Sequence, residues 1–244
     1  FFFSQEPEFA NLFKNKIGDP KDKIRYSQMG LFDDMPAKIN KPPFKLSKYN
    51  LIYIGRMRQH PSRMPFMIDM MNQLGDNFHL NVLPGTFSKP PHLVTKLNKK
   101  GRNKFGAQVD ENFEWLVDYF SVCSNITIHR PEQWGDHWQY LYHSHLGIDF
   151  SPHWKDSKYP AGNAKLLEYM AAGLPSITEA SVGNSELVSQ ANGGIIIPKT
   201  GDLDLYCSAI KKALSVKWDR KSISKITIKN NSWTKRAREM LKDM

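Results

Sequence analysis

The run Tyr159–Ala180, "YPAGNAKLLEYMAAGLPSITEA", decides how the rest of the chain is read. Gly162 and Asn163 stand just before residues whose apolar members recur at helical spacing. Asn163 therefore reads as the N-cap of a helix beginning at Ala164, its side-chain oxygen accepting from an amide that the first turn leaves unpaired. Gly173 and Pro175 supply the stop, and "PSITEA" follows as a strand. Gly162 lets the backbone approach a ligand closely, and free amides at the positive end of the helix dipole make this start a candidate phosphate seat. An ordinary capped helix behind a turn glycine accounts for the same residues. Glu168 is the odd member, four residues into the helix among Leu166, Leu167, Met170 and Ala171. It can accept two hydroxyl hydrogens of a ribose, or belong to the exposed stripe of an amphipathic helix.

Outward from this run, short apolar strands alternate with helical patterns. "NLIYIGRM" is a strand entering Gly55, "RMPFMIDMMNQLGDN" a helix stopped by Gly75, and "FHLNVLPG" a second strand. "DENFEWLVDYFSVC", "NITIHRP", "EQWGDHWQYLYHS" and "LGIDFSP" continue as helix, strand, helix and strand. "SELVSQA", "GGIIIP" and "DLDLYCSAIKKALS" follow as helix, strand and helix. The alternation predicts an α/β fold, a Rossmann-like parallel sheet with helices on both faces, over residues 47–244. Residues 1–46 read as irregular, ending in the linker-like "NKPPFKLSKYN". "FFFSQEPEF" resembles a buried strand leaving an interior, so a preceding segment is expected.

A chain of 244 residues, 40% hydrophobic and 24% charged, has the composition of a globular protein with a full core. No apolar run approaches the roughly 20 residues of a membrane span, and a cytoplasmic location is expected. Cys123 and Cys207 are far apart, without metal-ligand spacing, and read as buried thiols. The eight histidines form no HExxH or similar set, so no metal site is expected. A formal charge of +10 favours an anionic partner: nucleotide, phospholipid surface or nucleic acid. The basic run "KLNKKGRNK" lacks the interleaved aromatics of a single-strand nucleic-acid binder, and a solvated loop explains it as well.

In a doubly wound sheet the ligand lies outside the carboxyl ends of the strands, so the turns after each strand carry the chemistry. Arg56 follows Gly55 directly, and Arg58 and Arg63 share its loop. Guanidinium groups grip phosphate oxygens with paired hydrogen bonds and can stabilise a departing diphosphate. Three solvated loop arginines are the plain alternative. Neither GxxxxGK[ST] nor GxGxxG occurs, which weighs against an ATPase or a dinucleotide-dependent dehydrogenase. His153 and Trp154 follow "GIDFSP" in the same cleft-side position, and His143 and His145 read as packing or capping residues.

Together these residues resemble the carboxyl-terminal, donor-binding domain of a GT-B glycosyltransferase of the large retaining family 4. "YIGRM" with a later basic residue is similar to that family's Gly-Arg and Lys pair, and "KLLEYMAAGLPSI" to the helix carrying the second Glu of its E-x7-E motif. "SVGNSELV" resembles its Gly-Gly-x-x-Glu loop, "NGGIII" the next strand and "NNSWTKRAREMLKDM" its closing helix. The likeness spans residues 50–244, and the order of the motifs is more specific than any one. The resemblance implies that Arg56 binds the donor diphosphate, with Arg63, or in second place Arg58, standing for the family's Lys, and Gly55 beside them in the donor site. It implies that amides around Asn163, Ala164 and Lys165, behind Gly162, hold the distal phosphate, that Glu168 holds the ribose and that residues near His129 and Arg130 flank the base. Glu186 falls at the acidic position of the next loop. Residues 1–46 resemble the exit of the amino-terminal acceptor domain.

The resemblance implies transfer of a sugar from a UDP- or GDP-sugar to an acceptor hydroxyl with retention, the nucleotide-sugar being substrate and no further cofactor needed. Acceptors would be glycan, lipid or protein, with contact at the inner face of a membrane or with nucleic acid as further partners. One departure is Pro160, which stands where the first Glu of E-x7-E contacts the donor sugar; Asp156 is a candidate substitute. Two other readings stay open. The acceptor could be DNA, as in phage enzymes that glucosylate modified bases, or the chain could be a non-catalytic nucleotide-binding or interaction module.

Overall fold

The computed structural model describes residues 2–4, 24–26, 31, 35–55, 63–84, 113, 116–130, 136–149 and 164–242. Two short parallel strands, β1 (Phe2–Ser4) and β2 (Ile24–Tyr26), form a small sheet; β1 falls in the strand-like run "FFFSQEPEF", while β2 lies in a stretch that the sequence pattern leaves irregular. Six further strands make the main sheet: β3 (Tyr49–Gly55), β4 (Phe78–Pro84), β5 (Ile126–Ile128), β6 (Leu146–Asp149), β7 (Ser176–Glu179) and β8 (Gly194–Ile197). Their order is β5-β4-β3-β6-β7-β8. This is the doubly wound 3-2-1-4-5-6 order counted from β3, and it reverses between β3 and β6, which pair in parallel through Leu51↔Leu146 and Ile52↔Gly147. β3–β4, β4–β5 and β7–β8 are also parallel. The predicted Rossmann-like sheet is therefore present, and its helices are α1 (Arg63–Leu74), α2 (His137–His143), α3 (Ala164–Ala171), α4 (Val182–Ala191), α5 (Leu203–Ser215), α6 (Arg220–Asn231) and α7 (Trp233–Lys242), with further helical residues at 116–120.

The chain divides into two compact units, and neither follows the sequence order simply. One holds Pro36–Ile148 and Asp202–Leu214. Its core is built by strand residues buried on both faces, Leu51, Ile52, Tyr53, Leu80 and Val82, with Met64, Met67, Met70 and Met71 of α1. Each such side chain contributes roughly 1.5–3 kcal/mol by leaving water. The flexible thioethers fill the space over β-branched strand residues without demanding one shape. Phe66 meets Tyr206 of α5 edge-on at 5.0 Å, and the Cys207 thiol points at the Met70 carbonyl, 3.8 Å away. Both cysteines are buried and free. Gly75, at φ +83°, ends α1 by donating its N–H to the Met71 carbonyl.

The other unit holds Phe1–Met35, Asp149–Gly201 and Ser215–Met244. In it Gly173, at φ +70°, closes α3 with the two bonds of a Schellman turn: Gly173 N–H to the Met170 carbonyl and Leu174 N–H to the Tyr169 carbonyl. Helix α6, for which no pattern was read in the sequence, completes this end. Its Arg220 Nε donates to the Gly173 carbonyl at 2.9 Å, and its Ser224 hydroxyl donates to the Ala171 carbonyl at 2.6 Å. A cation is favoured there by the negative end of the α3 dipole. Leu31 bridges the joint between α6 and α7, donating to the Asn231 carbonyl and accepting from the Trp233 amide.

Candidate functional site

Glu168 lies on α3, half-buried, between Leu166 and Leu167 on one side and Tyr169, Met170 and Ala171 on the other, all five buried. The apolar residues seat the helix, and Ala164 and Lys165 form its first turn, half-exposed. The first amides of an α-helix have no partner within it, so this turn is where an anion gains most. Gly162, Asn163, Pro160, Asp156, His153 and Trp154 lie outside the described residues, so the expected cap and the sugar-side residues stand as expectations.

The side chain of Lys165 adds something that the sequence reading missed. Its ammonium pairs with Asp149 Oδ1 at 3.2 Å, and Asp149, the last residue of β6, is only 3% exposed. The other carboxylate oxygen of Asp149 accepts from the Thr178 hydroxyl at 2.8 Å, and that hydroxyl in turn accepts from Asn184 Nδ2 at 2.7 Å. Asn184 also donates to the Glu179 carbonyl at 3.3 Å, while its own amide hydrogen goes to Ser181 Oγ, the N-cap of α4. Residues from two neighbouring strand ends and two helix starts are thus wired to one buried carboxylate. Nothing in the spacing of Asp149, Lys165, Thr178 and Asn184 announces this, because the strand order brings β6 beside β7. The only signal was an Asp closing an otherwise apolar strand.

In the other unit, Gly55 ends β3 opposite Pro84. Arg56 and Arg58 lie outside the described residues. Arg63, where the run read as a helix begins, is the first residue of α1, its side chain outside the described set. His129 follows β5, with its amide donating to the Val82 carbonyl and its ring half-buried. Burial, with a smaller contribution from the nearby His79, brings its pKa down to about 4. Arg130 is exposed, its guanidinium 5.7 Å from the Phe113 ring centroid. His143 Nε2 meets the Ile39 carbonyl and His145 Nδ1 accepts from the Asn50 amide, so both pack locally as expected.

Glu186 lies on a helix, as the run from Ser185 predicts. The helix read as starting at Ser185 begins at Val182, which places Glu186 inside α4, exposed, with its carboxylate accepting from Gln190 Nε2. Asn184 supplies side-chain bonds that hold this start in helical form. Among the described residues no group of three or more His, Cys, Asp or Glu could hold a metal ion, and no helix is long and apolar enough to cross a membrane.

No protein-family model matches the chain, and no curated protein matches it by sequence. Solved structures do match it in three dimensions. A sucrose-phosphate synthase from Thermosynechococcus elongatus aligns with TM-score 0.61 and 15% identity, covering 98% of this chain and 56% of that one. A UDP-forming α,α-trehalose-phosphate synthase from Burkholderia vietnamiensis aligns with TM-score 0.63 and 12% identity, over 99% and 60%. A lipopolysaccharide outer core galactosyltransferase aligns with TM-score 0.59 and 14% identity, over 99% and 62%. At these identities the likeness establishes the fold: a Rossmann-like α/β chain of the kind found in GT-B glycosyltransferases. The chain spans little more than half the length of these proteins.

Proposed function

We propose that this chain is the donor-binding part of a glycosyltransferase that takes a sugar from a UDP- or GDP-sugar to an acceptor hydroxyl with retained configuration. The observation that carries the reading is the likeness in fold, along nearly the whole chain, to proteins that are themselves sugar transferases. The half-buried carboxylate of Glu168, on the helix whose first turn is the candidate phosphate seat, supports it. In the transfer the bond between the anomeric carbon and the diphosphate oxygen breaks, a bond from the acceptor oxygen to that carbon forms, and the acceptor proton passes to the leaving diphosphate. The work of the protein is to hold both partners in line and to stabilise charge on the departing group. Within one unit Arg56, Arg58 and Arg63 are assigned to that charge; within the other the first-turn amides of α3 are assigned to a phosphate and Glu168 to the ribose. A glycan, lipid or protein acceptor in a cytoplasmic, membrane-adjacent setting suits the basic charge of the chain.

The test is a thermal-shift screen of the full-length protein against UDP, GDP, ADP, NAD and sugar conjugates, with Glu168→Ala and Arg56→Ala beside it. Saturation at about 100 Kd stabilises a folded protein by roughly 2.7 kcal/mol, a shift that is easily read. UDP or GDP should raise the melting temperature in the wild type and in neither variant. No shift with any nucleotide would refute the donor-site reading.

A further inference from the structure

At the carboxyl end of β5 three half-buried rings converge. The centroids of His129 and Tyr140 are 5.0 Å apart, those of Phe44 and Tyr140 5.9 Å, and those of Phe44 and His129 6.1 Å. All three belong to one compact unit. Partly exposed rings of this kind make a stacking surface for a planar ligand.

The hydrogen bonds behind the rings settle which edge His129 offers. Asn81, fully buried on β4, donates through Nδ2 to the Leu51 carbonyl at 3.3 Å, which turns its Oδ1 toward His129 Nε2, 2.7 Å away. An amide oxygen only accepts, so Nε2 carries the ring hydrogen. The ring is neutral at pH 7, because burial opposes the second proton. Nδ1 is then a bare acceptor, and the ring makes no other hydrogen bond among the described residues. The fixed tautomer makes His129 an acceptor that cannot become a donor without breaking the bond to Asn81.

Resting on the donor-site reading above, we propose that His129 sets the base preference of the donor, with Asn81 as its positioning residue. Stacked beside Tyr140 and Phe44, Nδ1 accepts from a base whose ring nitrogen on the pairing edge carries hydrogen, as in uracil and guanine. Adenine and cytosine present a lone pair at that place and face acceptor against acceptor. The site therefore takes uridine or guanosine diphosphates and discriminates against adenosine and cytidine diphosphates.

The experiment combines two readouts on the full-length protein. Nitrogen-15 ring spectra should show His129 with Nε2 protonated and Nδ1 bare; the reverse pattern, or a doubly protonated ring at pH 7, would overturn the proposal. Calorimetric titration with UDP, GDP, ADP and CDP should show UDP or GDP binding at least tenfold tighter than ADP and CDP. His129→Phe, which keeps a ring for stacking, should bring that ratio to within about threefold, and so should Asn81→Leu, which releases the tautomer. A ratio that both variants preserve would overturn the role of His129 and leave the donor site standing. Binding of none of the four nucleotides would instead refute the donor-site reading, and the base preference with it.

Discussion

Two glycines that end helices offer a controlled measurement of what holds α3, the helix carrying Glu168, in place. Gly75 and Gly173 have similar left-handed backbones, φ +83° and +70°. An added Cβ at Gly75 meets nothing within 4 Å, whereas at Gly173 it falls 2.4 Å from the Arg220 carbonyl oxygen and 3.1 Å from its carbon. Gly75→Ala therefore costs only the conformational strain, about 1 kcal/mol once the gain from a stiffer unfolded chain is subtracted. Gly173→Ala adds the displacement of a helix backbone, about 1–3 kcal/mol by the measure of overpacked cores. It also loosens the bonds from Arg220 and Ser224 to the α3 carbonyls, each contributing roughly 1 kcal/mol. The expected losses are about 1 kcal/mol at Gly75 and about 4 kcal/mol at Gly173. For a chain of this size they correspond to melting temperatures lower by ~2–4 °C and ~8–16 °C. Urea denaturation of both variants, checked against thermal melts, measures the difference. Equal losses would refute the claim that the start of α6 is packed rigidly against the end of α3.

The ion pair between Lys165 and Asp149 predicts an asymmetric response. Lys165→Met leaves a buried carboxylate without its cation and should cost about 2–3 kcal/mol, below the range for fully buried pairs because the lysine side chain is 25% exposed. Adding Asp149→Asn should recover most of that in urea denaturation, and failure to recover it would show that the cost lies elsewhere. A third expectation concerns pH. His129 binds its proton near 6.5 when unfolded and about 4 when folded, so the unfolded chain takes up the proton first as pH falls. The contribution is present above pH 6.5 and is lost between 6.5 and 4. The difference of 2.5 units corresponds to about 3 kcal/mol at most. Urea melts at pH 7, 5.5 and 4.5 should therefore show the wild type losing stability faster than His129→Phe; parallel losses would contradict the buried neutral ring.

The sequence alone determined the sheet's class and the identity of its main strands, because a strand buried on both faces must be a short apolar run, and a helix laid across it must repeat its apolar residues every three or four positions. "NLIYIG", "FHLNVLPG" and the α3 run with its Gly173 stop are legible for that reason, as is the placing of Glu168 on a helix near a phosphate-seat candidate. Helix α6 was not legible: its polar run "RKSISKITIKNN" presents a weak apolar stripe, and Arg220 and Ser224 acquire their meaning only from carbonyls about fifty residues earlier. The same holds for Asp149, Thr178 and Asn184, each unremarked in its own segment. Their network exists because parallel crossovers set the ends of β6 and β7 side by side, and a buried carboxylate must then find its partners among whatever groups those ends bring. Local pattern records which face of each element is dry; which polar groups must satisfy one another is decided only when the strands take their order.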